Sequence, residues 1–252
     1  MAENNEIKYP VTDVELPSRG IIYDSDLVPS IIQLRPTTTK EEKILYGSSA
    51  SNVLDLVIKN CIVEPKDLNL SSLIVPDKYA LLMNLRIISF GSLYRVNHRC
   101  EECKETNSFD IDLSELPINY LDNDFSEPFL VNLKTIDKKV EVRFLRGKDL
   151  DDVDNLVKRL KKNSNVIVPG DPGYTMRLAK YIRSIDGEDV TFDKALRFVE
   201  SWTSRTSVEF RNAIDDIKVG YDLELIKPCP SCGEDMEFNL PFTGEFFRPT
   251  GR

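Results

Sequence analysis

Four cysteines set in two Cys-x-x-Cys pairs limit what this 252-residue chain can fold into more than any other feature. They read Cys100-Glu-Glu-Cys103 and Cys229-Pro-Ser-Cys232-Gly233, with 125 residues between Cys103 and Cys229. Two thiolates separated by two residues across a tight turn face one metal ion. Two such turns complete the tetrahedral four-sulfur set that Zn²⁺ prefers. The flanks support this. Tyr94, Val96 and His98 alternate with Arg95, Asn97 and Arg99 before the first pair, and Phe109, Ile111 and Leu113 alternate with Asp110 and Asp112 after it. Leu223 and Leu225 precede the second pair, and Met236, Phe238 and Leu240 follow it at the same period. Period two on both sides of each pair predicts strand, knuckle, strand, twice over.

Each hairpin is thus expected to carry a pair at its tip, the arrangement of a zinc ribbon. Two disulfides are the competing reading. The first residues, Met1-Ala-Glu-Asn-Asn-Glu, are acidic and no apolar secretory segment follows them, so a reducing compartment is expected, where paired motifs bind metal. Ribbons usually separate their pairs by about 15–20 residues. Here the zinc would clamp two distant parts of the chain, and four cysteines leave no open position for hydrolytic chemistry. His98, the single histidine, reads as a strand residue beside the site, the alternative being that it replaces a ligand or hydrogen-bonds a thiolate. Cys61 follows Leu54, Val57 and Ile58 at helical spacing and reads as core.

A formal charge of −9 counts against a general nucleic-acid binder, and no apolar run is long enough to cross a bilayer. The basic run Lys158 to Lys162 closes a helix opened by Asp149, Asp151, Asp152 and Asp154, the order the helix dipole favours. We therefore expect a soluble protein of the cytoplasm.

Residues 1–36 read as an extended arm, because Pro10, Pro17, Pro29 and Pro36 forbid a helix and its apolar residues lack a period. Val28 to Leu34 is its one candidate strand. Such an arm packs on another chain or wraps its own domain; we expect a partner-binding segment, dispensable for folding. Residues 37–124 form a helical part plus the first hairpin. A capping box at Thr39 to Glu42 opens a helix ending at Gly47, Asn52 caps the helix carrying Cys61, and Pro76-Asp77 opens a third, almost wholly apolar helix ending at Gly91. Arg86 lies within it and needs a carboxylate or carbonyl partner.

Residues 125–220 form an α+β insertion. Phe129, Val131, Leu133 and then Val140, Val142, Phe144 read as two strands. Four helical stripes follow: Leu150, Val153, Val157, Leu160; Leu178, Ile182, Ile185; Phe192, Ala195, Leu196, Val199, Trp202; and Phe210, Ala213, Ile214, Ile217, with Ser207 as cap. Pro169 to Gly173 and Asp186 to Asp189 mark turns. Residues 221–252 carry the second hairpin and a tail. The fold class is α+β: a helical N-terminal part and a helical insertion joined by a discontinuous, zinc-ribbon-like pair of hairpins.

No phosphate-binding loop is present, and one histidine is too few for a nucleophilic triad away from the cysteines. The acids at 149–154 and 186–189 read as a solvated helix start and a solvated turn. These observations predict no catalytic residues.

With those residues in view, the chain resembles the T-even-type baseplate hub assembly proteins of contractile-tailed bacteriophages. The resemblance rests on Leu16-Pro-Ser-Arg-Gly20 followed by Tyr23, on Leu34-Arg-Pro-Thr-Thr-Thr-Lys-Glu-Glu-Lys-Ile-Leu45, and on Asp77-Lys-Tyr-Ala-Leu-Leu-Met-Asn-Leu-Arg-Ile-Ile-Ser-Phe-Gly91 running into Tyr94. Phe246-Phe-Arg-Pro249 is a weaker echo, and residues 125–220 contribute little. The resemblance implies a late viral structural protein. It would be made in the host cytoplasm, bind other baseplate and hub proteins, and act in virion assembly or remain in the tail. The alternative is a zinc-ribbon regulator of nucleic acid, for which Arg95, Arg99 and Lys104 are the only basic tip.

Overall fold

The computed structural model describes residues 9–24, 27–47, 53–163, 170–241 and 246–247. Strand β1 (Thr12–Glu15) pairs antiparallel with β2 (Ile31–Leu34), Val14 opposite Ile32. Helices α1 (Thr39–Gly47) and α2 (Val53–Cys61) follow, and β3 (Ile62–Glu64) adds to the other edge of β2. Helix α3 (Val75–Phe90) then leads into a long hairpin, β4 (Leu93–Arg99) with β5 (Thr106–Asp112). After β6 (Ile118–Asn119) the chain builds β7 (Phe129–Leu133), β8 (Lys138–Val142), α4 (Gly147–Asn163), α5 (Gly173–Tyr181), β9 (Ile182–Ile185) and β10 (Glu188–Asp189). Two more helices, α6 (Phe192–Glu200) and α7 (Ser204–Asp215), precede β11 (Gly220–Tyr221), which pairs back with β6. A second hairpin, β12 (Glu224–Pro228) with β13 (Asp235–Asn239), completes the α+β architecture.

Two main cores result. The first gathers Val14, Leu16, Ile32 and Leu34, the inner faces of α2 and α3, both long hairpins, and Phe246 and Phe247. The second lies between the sheet β10-β9-β8-β7 and α5, α6 and α7. A small aromatic cluster of Phe125, Phe129 and Phe144 around Ile74 and Leu121 sits where they meet.

The arm is therefore no free segment. Leu16, Ile32 and Leu34 are fully buried in their own chain's core. Its prolines forbid a helix, as expected, but they direct the chain into a loop that locks onto α3. The Ser18 amide donates to Asp77 Oδ1 at 2.9 Å and the Tyr23 hydroxyl to Asp77 Oδ2 at 2.7 Å, while the Ile74 amide donates to the Tyr23 oxygen. Gly20 has φ +75°, and a Cβ there would stand 3.2 Å from the Ser30 nitrogen, so any side chain would be strained. The motif Leu16-Pro-Ser-Arg-Gly20 with Tyr23 is thus a latch within the fold.

Other expectations shift in detail. The capping box sits one residue earlier: the Thr38 amide donates to Glu41 Oε2 at 2.8 Å and the Lys40 amide to the Thr38 hydroxyl. Asn52 lies outside the described residues, as do Pro169, Arg248 and Pro249. Leu54 faces solvent instead of joining Val57, Ile58 and Cys61 in the core. Leu178, Ile182 and Ile185 are not one helical stripe. Helix α5 stops at Tyr181, and Ile182 to Ile185 close the sheet against β8. Thr203, not Ser207, caps α7, its hydroxyl accepting from the Thr206 amide. Asp149 is no solvated acid: it is buried, bidentate to Arg143 at 2.7 and 2.9 Å, and caps the Arg146 amide. Leu160 points to solvent. Arg86 is buried as expected and donates to the carbonyls of Gly91 and Leu93.

Candidate metal centre

Each long hairpin turns through the same six-residue knuckle. In the first, the Cys100 amide donates to the Glu105 carbonyl at 2.9 Å and the Lys104 amide returns to the Cys100 carbonyl at 3.1 Å. In the second, Cys229 and Glu234 make the same bond at 2.8 Å, and the Gly233 amide returns to Cys229 at 2.8 Å. The residue after each second cysteine takes positive φ, +63° at Lys104 and +81° at Gly233. That left-handed step turns the chain so that both sulfurs of a pair face the same side.

The hairpins lie against each other through His98 stacked on Phe238, ring centroids 4.5 Å apart, with Phe109 on the same ring. This contact brings the two tips together. The four Sγ atoms of Cys100, Cys103, Cys229 and Cys232 all lie within 4.8 Å of one another. Cys100 and Cys232 are 3.8 Å apart, Cys103 and Cys229 3.7 Å. Four sulfurs about 2.3 Å from a tetrahedral zinc would stand roughly 3.8 Å from one another. The spacing fits a metal and no disulfide joins these sulfurs.

The electrostatics of the cluster point the same way. Burial raises the Cys229 thiol, but the amides of Cys232 and Ser231, with the neighbouring thiols, bring it down to about 6. The Glu234 amide favours the Cys232 thiolate, yet Cys229 and burial push Cys232 up to about 12. The Glu105 amide does the same for Cys103, which burial and its neighbours also raise. Amide N–H groups invite thiolates, and the thiols favour ionisation of Cys229 at the expense of Cys103 and Cys232. A divalent cation at the centre relieves that conflict.

Among the described residues no other group of three or more potential ligands converges. His98 is occupied in its stack and is not part of the cluster. Cys61 is fully buried beside Arg35, its thiol pushed up to about 12 by burial, which makes it inert. Asp186 is held by Lys138 and the Lys139 amide. The basic tip is spent locally: Arg95 pairs with Asp110, Arg99 donates to the Lys104 carbonyl, and Lys104 to that of Glu101. Sequence reasoning missed Asn107, buried with its amide 3.4 Å from Cys229 Sγ. Its signal was present: Asn107 follows Cys103 by four positions, as Met236 follows Cys232.

No helix among the described residues is long and apolar enough to cross a membrane. Comparison with curated proteins and with solved structures gives no match. The family model described as T4 bacteriophage base plate protein matches residues 9–248, nearly the whole chain and every residue described above. The chain belongs to the T4 bacteriophage base plate protein family.

Proposed function

We infer that this protein is a structural or assembly component of a contractile phage tail baseplate, in its hub region. It acts through contacts with other baseplate and hub proteins, with Zn²⁺ held by Cys100, Cys103, Cys229 and Cys232 in a ribbon-like pair of knuckles. The observation that carries this reading is the family match over residues 9–248. Its support from the site is chemical. Four sulfurs at tetrahedral spacing leave a bound zinc no open position, which suits a clamp and not a catalyst. Exposed Glu101, Glu102, Glu234 and Asp235 surround the tips, a poor surface for phosphate backbones. Synthesis in the host cytoplasm and a place in the tail follow from the same reading.

Purified protein should contain one zinc per chain, with four thiols protected from titration until a chelator is added. Affinity capture from phage-infected cells should return baseplate proteins in fixed stoichiometry. Zinc-free protein with reactive thiols would overturn the metal assignment; capture of no tail protein, or a gel shift with mixed DNA at low salt, would overturn the assembly role.

A further inference from the structure

The two knuckles are near-copies of each other, related residue by residue. Cys100, Cys103, Lys104 and Glu105 correspond to Cys229, Cys232, Gly233 and Glu234. Continuing along the strands, Asn107 of β5, opposite His98, corresponds to Met236 of β13, opposite Lys227. These two side chains meet, Asn107 Nδ2 lying 3.9 Å from Met236 Sδ. Both are buried at the base of the sulfur cluster. There the likeness ends. Asn107 offers two N–H hydrogens, one within reach of Cys229 Sγ at 3.4 Å and one of the Glu105 carbonyl at 3.4 Å. Met236, in the matching place, has none to offer.

We propose that Asn107 is a positioning residue of the metal centre, donating a hydrogen bond to the Cys229 thiolate and making the four-sulfur site asymmetric. This rests on the reading that the four cysteines hold a divalent metal. Four thiolates around Zn²⁺ carry a net double negative charge, costly beside a core of Met236 and Phe238. A neutral amide draws charge from one sulfur without adding any, and its second hydrogen, on Glu105, fixes its orientation. The main-chain bonds that close the two knuckles are alike, and Asn107 adds to Cys229 a side-chain donor that Met236 cannot match.

The test uses full-length protein loaded with Co²⁺ as a visible probe and titrated against a chelator. Asn107→Leu and Asn107→Asp should each weaken metal binding by about tenfold or more. In N107L the sulfur-to-cobalt charge-transfer band should move to lower energy, a shift that loose packing alone does not produce. Met236→Leu should leave both affinity and band as in wild type. Variants N107L and N107D that match wild type in both readouts, or an M236L that weakens binding as much, overturn the proposal. Should neither Asn107 variant fold, wild-type protein loaded with a spin-half cadmium isotope decides. Coupling from the metal to the Asn107 side-chain amide proton supports the bond, and its absence refutes it. Wild-type protein that takes up none of these metals overturns the four-cysteine reading and this one with it, whereas equal binding by wild type and variants overturns this one alone.

Discussion

Glu41 shows how much one side chain can hold. It is buried, yet both its oxygens accept from Arg35, at 3.1 and 3.3 Å, and one also caps Thr38. Burial pushes its carboxyl up, but these bonds win and hold it at about 2 against an ordinary 4.5. A depressed carboxylate stabilises the fold fully above its unfolded value, and that stability is lost as pH falls through the folded one. Glu41 should therefore contribute on the order of 2–3 kcal/mol above pH 4.5, fading towards pH 2. Asp77 works the other way. Its burial raises its carboxyl, so it favours the fold when protonated and opposes it as pH rises. Chemical denaturation of wild type and Glu41→Gln at pH 6 and pH 3 isolates the Glu41 contribution, since Asp77 cancels in the difference. We expect Glu41→Gln to be clearly weaker at pH 6 and the gap to be roughly halved at pH 3; an equal gap at both would refute the Arg35 pairing as its cause.

Elements with a strong local signal were legible in the sequence, and those made by distant partners were not. The long hairpins announce themselves because β4, β5 and β13 bury alternate residues and β12 half-buries them, and the knuckles because cysteine spacing leaves few alternatives. The four cysteines were found this way. Asn107 was not, because its role depends on a sulfur 122 positions away. Helix α5 and strand β9 defeated periodicity, since Leu178, Ile182 and Ile185 satisfy a helical spacing by chance while the edge of β8 demands a strand. The arm was misread for a related reason: its order comes from Asp77, 59 positions beyond Ser18, and from the β1–β2–β3 sheet. Deleting residues 1–30 should consequently unfold the N-terminal core instead of freeing a dispensable segment. Leu16→Ala alone should cost about 2–5 kcal/mol, measured by urea denaturation. A soluble, cooperatively melting deletion variant would restore the arm to the role of a partner-binding segment.

At the scale of the whole molecule, the proposed metal clamp and the insertion belong to different cores. The clamp draws on the first, with Met236 and Phe238; Trp202, the single tryptophan, packs on Phe198 and Phe210 in the second. Removing the metal should lower the melting midpoint by on the order of 10 °C, because metal binding energy is folding energy. Emission from Trp202 should stay unshifted when the chelator is added, while tyrosine circular dichroism changes through Tyr94, which packs on Phe246. A red-shifted tryptophan would show the cores to be one cooperative unit. The clamp also has a schedule. Cys229 follows Cys103 by 126 positions, so at about 5–20 residues per second a ribosome needs roughly 6–25 s to deliver the second half of the site after the first. For that interval the nascent chain carries two thiols with no partners, and a message broken anywhere within it yields a product that can never close its own centre.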